Sequence, residues 1–180
     1  MRSSGGGGVD TFAADGSGGL THSQKFAYKL DKPGPLPDRQ EGSHPHQAIM
    51  DPTGEYVIVP DLGADQVRVY SANSSTTIKE LESIKTPAGF GPRHAVFYPV
   101  GKAKATHLFV VGELSNNITT FKISYANGQL KAENIATVST FGTQAVPSVT
   151  PAPAAGEIAL SVSSLLPGLL PQHPLNIPRN

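Results

Sequence analysis

The run HPHQAIMDPTGEYVIVPDLGADQVRVY, residues 44–70, decides the fold. It opens on polar positions and passes into a short apolar strand. It turns at Asp51, Pro52, Thr53 and Gly54, climbs a second apolar strand over 56–60 to the pair Asp61 and Leu62, and closes on a third strand over 66–70. Proline, threonine and glycine between two apolar runs form a turn, because proline presets φ and glycine tolerates the left-handed region. Tyrosine, valine and isoleucine at alternate positions form strands that bury one face. The same order returns downstream, where GPRHAVFYP (91–99) lies under HPHQAIMDP (44–52), a repeat of about 47 residues. It continues through a strand over 107–111, the pair Glu113 and Leu114, and a strand over 117–123.

A period of 40 to 50 residues holding several short strands is the mark of a β-propeller, in which each repeat is one sheet, or blade. The chain is therefore expected to be all-β, a partial propeller with about two complete four-stranded blades and pieces of others. Composition agrees. Nineteen glycines and 16 prolines in 180 residues break long helices and favour many turns. A third copy begins at GEIALS (156–161) and then loses the pattern, with prolines 167, 171, 174 and 178 forbidding a regular strand. Upstream, residues 8–13 and 25–28 read as the outer strands of an earlier blade, so the chain is expected to start and stop inside blades. The division expected is 1–161 for the partial propeller and 162–180 for a disordered tail outside the pattern. Segments 31–37, 71–89 and 143–155, rich in proline, glycine, serine or threonine, read as linkers between blades.

Fourteen basic residues balance 14 acidic ones, so no global field favours a nucleic acid or an anionic membrane as partner, and an anion site must be local. The absence of cysteine excludes disulfides and thiolate catalysis. The opening residues carry no apolar stretch long enough for a signal peptide or membrane span, which makes a cytoplasmic location the default expectation. Two glycosylation sequons, at Asn73 and Asn117, matter only in a secreted protein.

Antiparallel pairing about the Asp51–Gly54 turn sets His46 opposite Asp61, and pairing about the loop near Gly101 sets Arg93 opposite Glu113. Equivalent positions of neighbouring blades stand at one height around the axis, so these four residues gather at one mouth of a central channel. Arg93 offers an anion clamp, and Glu113 or His46 a proton-transfer group. An equal case stands for the two pairs as charge-assisted hydrogen bonds that merely close hairpin ends. His44, His46 and His94 could contribute imidazoles to a metal, but no carboxylate spacing completes such a site and no metal is expected. His107 and His173 read as incidental, Lys102 and Lys104 as a solvated turn, and the glycines at 5–8 as a flexible start.

The segments 44–70, GPRHAVF (91–97), VGELSNNITTFKI (111–123) and GEIALS (156–161) together resemble the seven-bladed lactonase propellers, a family that includes 6-phosphogluconolactonases and fungal carboxy-muconate lactonizing enzymes. The wording is similar to fungal members, over about residues 6–161. The resemblance implies an enzyme without metal or cofactor that opens or closes a lactone ring at the channel mouth. It carries a catalytic histidine onto His46, an arginine onto Arg93 and a glutamate onto Glu113; from the pairing and the histidine spacing, Asp61, His94 and His44 are expected as supporting residues. A further arginine of a later blade has no counterpart here.

The expected substrate is a small anionic lactone or carboxylic acid, hydrolysed as a sugar-acid lactone or cyclised from a muconate. Two other readings stay open at this stage: a propeller surface that only binds, and an inactive truncated product. Fold alone does not separate them. Blades without neighbours leave apolar faces wet, so self-association through exposed blade edges is expected.

Overall fold

A computed structural model describes residues 7–72 and 77–161. The described residues form eleven strands and one short 3₁₀ turn, in three antiparallel sheets. Strands β1 (Gly8–Ala14) and β2 (Leu20–Ala27) make a two-stranded sheet. The next sheet runs β3 (Ile49–Met50), β4 (Tyr56–Asp61) and β5 (Gln66–Ser71), with β6 (Lys79–Glu80) and β7 (Ile84–Lys85) both paired to β5. The third sheet takes β8 (Pro92–Tyr98), β9 (His107–Gly112), β10 (Asn117–Ala126) and β11 (Gln129–Ser139) in chain order. This is the all-β, partial propeller the repeat predicts: two complete blades and one two-stranded piece.

One expected linker holds strands, and one strand lies where the sequence pattern named none. Segment 71–89 carries β6 and β7, which together supply the fourth strand of the first complete blade. These two-residue strands lie too close to turns for alternation to reveal them. Strand β11 follows the Asn127–Gly128 turn, where both residues have positive φ as a tight hairpin requires. It is mostly exposed, so the alternation that marks a buried strand is weak there. Residues 156–161, expected to begin a third copy, run on without forming a strand. The tail expected over 162–180 lies outside the described residues, as do the glycines at 5 and 6.

The core sits between the two complete blades. One face of β4 and β5 brings Tyr56, Ile58, Val67 and Val69 against Ala95, Phe97, Leu108, Val110, Phe121 and Ile123 of the second blade. The period-two spacing of these residues is the reason: Ile58 pairs with Val69, Ala95 with Val110 and Phe97 with Leu108, so alternate residues share a face. Each such fully buried side chain contributes about 1.5–3 kcal/mol. The opposite face of the first blade meets the β1–β2 sheet through Phe26 set edge-on to Tyr70 at 5.2 Å and the Arg68 guanidinium 3.3 Å above the Tyr28 ring. Polar ties cross the seam between the complete blades. Asp65, in the left-handed region, accepts from the amides of Gly89 and Gly91 at 2.7 and 2.8 Å, and Gln47 Oε1 accepts from the Ala95 amide at 2.8 Å.

Candidate active site

The loop from Tyr28 to His46 carries the chain from the β1–β2 sheet to β3, and its shape is set by a buried glutamine. Gln40, with no exposed surface, donates from Nε2 to the Leu62 carbonyl and accepts from the Leu36 amide, while its own amide and that of Arg39 fold back on the Leu36 carbonyl. This tight coil points Arg39 away from Gln40, toward the second blade. The following residues are fixed by Asp61. Its fully buried carboxylate accepts from Ser43 Oγ at 2.5 Å, the His44 amide at 2.8 Å, the Ala64 amide at 3.3 Å and Arg68 Nε at 2.8 Å.

Asp61 therefore does not pair with His46, as hairpin counting predicts. The register expected from the Asp51–Gly54 turn holds in the strand itself, with Ile49 opposite Ile58. Beyond it the bridge falls between Pro45 and Asp61, and the His46 amide donates to the Pro60 carbonyl. The slip of one place frees the His46 side chain from Asp61. Asp61 instead holds the backbone of the loop that presents His44 and His46.

Arg93 and Glu113 do meet. Strand β8 bulges between Pro92 and His94, and a bulge re-aims a side chain by inserting an extra residue. Arg93 is that residue, and its Nη1 lies 2.5 Å from Glu113 Oε2, with Nε donating to the Gly156 carbonyl at 2.8 Å. Glu113, anchored by its amide on the Gly91 carbonyl, has a side chain only 7% exposed. Its other oxygen, Oε1, accepts from Arg39 Nη2. Burial raises the Glu113 carboxyl, but the hydrogen bonds and charges of Arg39 and Arg93 outweigh it and hold the group below its ordinary value, as a carboxylate.

Arg39 is the site residue that sequence reading misses. It stands seven positions before His46 in the proline-rich crossing, and the hairpin argument reaches only residues on strands. The available signal was the crossing's one arginine, standing shortly before the HPHQ motif.

His46 is exposed and lies within electrostatic reach of Arg93, Glu113, His94 and His44. Partial desolvation by its neighbours first, and then the Arg93 charge, lower its pKa, which favours the neutral imidazole. Among the described residues no side chain hydrogen-bonds to its ring, and it lines a small open cleft of about 180 Å³ with Asp38, Arg39, Glu41, His44 and Leu62. The other two histidines are engaged by separate carboxylates: His44 Nε2 lies 3.0 Å from Glu41 Oε1, and His94 Nδ1 lies 2.8 Å from Glu157 Oε2. Among the described residues no set of three histidines or carboxylates is arranged to hold a metal ion.

The segment 153–161 closes over this corner. Pro153 accepts from Asn116 Nδ2 at 2.8 Å, Gly156 from Arg93, and Glu157 reaches His94. The result is a carboxylate between two guanidiniums, one from the loop before the first complete blade and one from the second, with a free imidazole beside them.

Comparison with known proteins identifies the family. A family model described as a lactonase, 7-bladed beta-propeller, matches residues 3–164. A protein of Arthroderma benhamiae named "probable 6-phosphogluconolactonase" is 39% identical over 132 residues, covering 73% of this chain and 33% of that protein. The 6-phosphogluconolactonase of Yersinia enterocolitica is 36% identical over 87 residues, covering 47% of this chain and 25% of that protein. The solved structure of a periplasmic gluconolactonase from Pseudomonas aeruginosa superposes with a TM-score of 0.66 at 26% identity, over 87% of this chain and 41% of that one. The chain thus spans a quarter to two-fifths of the length of these relatives.

Proposed function

The chain belongs to the lactonase family of seven-bladed β-propellers, and from that premise we propose that the cleft beside His46 is a lactone-hydrolysing site acting on a sugar-acid lactone. The observation that carries the proposal is the Arg39–Glu113–Arg93 cluster with His46 unengaged at its side. Both oxygens of Glu113 are held by guanidiniums, so it is poorly placed to take a proton and serves to position the two arginines. The proton-transfer role falls to His46, whose imidazole is held toward its neutral form and is open to water.

In hydrolysis the His46 imidazole takes a proton from water as the oxygen adds to the lactone carbonyl carbon. The carbonyl oxygen gains negative charge, which Arg93 stabilises through the guanidinium nitrogen that Glu113 and Gly156 leave uncommitted. The bond between that carbon and the ring oxygen then breaks, the imidazolium returns its proton to the departing alkoxide, and a hydroxy acid leaves. Ring closure of a carboxylated muconate would use the same groups, with the substrate's own carboxylate as the nucleophile. The names of these relatives, 6-phosphogluconolactonases, favour hydrolysis.

The test is turnover of 6-phosphogluconolactone and of a carboxylated muconolactone by the purified 180-residue chain, beside Arg93→Ala. The expected result is hydrolysis of the sugar lactone that falls by about 10²-fold or more in the variant, the usual effect of removing one charge-stabilising donor. Turnover of the muconolactone alone would move the reading to cyclisation. No turnover of either would leave a binding surface as the function of this chain.

A further inference from the structure

Arg39 touches Glu113 through Nη2 alone, and among the described residues its Nε and Nη1 have no hydrogen-bond partner. The side chain is 52% exposed, whereas Glu113 beneath it is 7% exposed. Arg39 is thus pinned at one corner on a buried carboxylate, with the rest of its planar fork turned to the cleft that His46 lines. A guanidinium whose remaining donors face an open cleft is preorganised for an anion, because its position is already fixed before the ligand arrives. Arg93 differs. Its Nε is taken by the Gly156 carbonyl and its Nη1 by Glu113, which leaves fewer donors for a second task.

The rim of the same cleft also carries Asp38 and Glu41, the latter beside His44. These carboxylates accept hydrogen bonds from hydroxyl groups. One cation with free donors, ringed by acceptors, fits a polyhydroxylated molecule with a single strongly anionic substituent. Resting on the lactone-hydrolysing reading above, we propose that Arg39 is a specificity-determining residue that seats the phosphate of a phosphorylated sugar-acid lactone while Arg93 serves the reacting carbonyl.

The test is isothermal titration of the full 180-residue chain with 6-phosphogluconate and with gluconate, which differ by that phosphate, for the unaltered protein, Arg39→Gln and Arg39→Lys. Melting temperatures are recorded for all three. The expected result is that Arg39→Gln weakens 6-phosphogluconate by at least about tenfold, the loss of one hydrogen bond to a charged group, and changes gluconate by less than about twofold. Arg39→Lys, which keeps the charge without the fork, recovers part of the loss. Equal weakening of both ligands, with or without a lowered melting temperature, would give Arg39 a purely structural role and overturn the proposal. So would unchanged binding of 6-phosphogluconate by Arg39→Gln. In both cases lactone turnover by the unaltered chain leaves the broader reading standing. Failure of the unaltered chain to bind either ligand or turn over lactone overturns the two together.

Discussion

His46 sits in a setting that fixes both its charge state and the pH at which it works. Partial desolvation and the neighbouring Arg93 charge push its pKa below the ordinary 6.5, so the neutral, proton-accepting form is the resting one at neutral pH. A rate that needs neutral imidazole stays level above that depressed value and falls as pH drops through it. The acid limb of kcat/KM for 6-phosphogluconolactone should therefore have its midpoint below 6.5, and His46→Gln should cost about 10²–10⁴-fold. A pH-rate profile corrected for spontaneous hydrolysis measures both. An acid limb unchanged in His46→Gln would return the proton-transfer role to Glu113. His46, Arg93 and Glu113 were legible in the sequence because the repeat aligns His46 with Arg93 and each hairpin ends on an acid. What was not legible was which acid each would meet. The one-place slip at Pro45 and the bulge at Arg93 are backbone adjustments that residue counting does not see, and they send Asp61 to Ser43 and Arg68 while they bring Arg93 to Glu113.

Among the elements, the short 3₁₀ turn Leu62–Ala64 has more leverage on the site than its length suggests. The crossing loop lies directly on it, with the Leu62 amide donating to the His44 carbonyl and the Leu62 carbonyl accepting from Gln40. A Cβ placed on Gly63 would collide with the carbonyl of Gly42 and the His44 ring. Gly63→Ala should accordingly displace the loop that carries Arg39, His44 and His46 while the strands stay paired. The expected cost is about 1–3 kcal/mol in urea unfolding, as for other overpacked sites, with a proportionally larger loss of lactone turnover. Turnover equal to that of the unaltered chain would mean that the loop yields without moving its side chains. Long strands with a buried face, β4, β5, β8, β9 and β10, were readable from alternation. Strands β6, β7 and β11 were not, because a two-residue strand has no period and an exposed strand has no apolar face to betray it.

For the whole molecule, the core between the complete blades holds most of the buried apolar residues, while other faces stay wet. Val138 and Ile135 on the edge strand β11 are 57% and 49% exposed, and Leu20 and Phe12 of the β1–β2 sheet are 69% and 55% exposed. An open strand edge beside such residues pairs readily with another chain. Sedimentation velocity should show an average mass that rises with protein concentration, and Val138→Lys should shift it toward the monomer. A single monomeric species at every concentration would remove this expectation. The seam between the blades carries a different consequence. The cation of Arg39 comes from one side of it, Arg93 and the carboxylate of Glu113 from the other, so a ligand bridging the guanidiniums binds only when the two sheets are correctly docked. By linkage such a ligand must raise the free energy of parting them by RT ln(1 + [L]/Kd), about 2.7 kcal/mol at a hundred times Kd. The seam is thereby a built-in reporter: heat tolerance gained on adding a small anion would register recognition at the cleft even where no bond is broken.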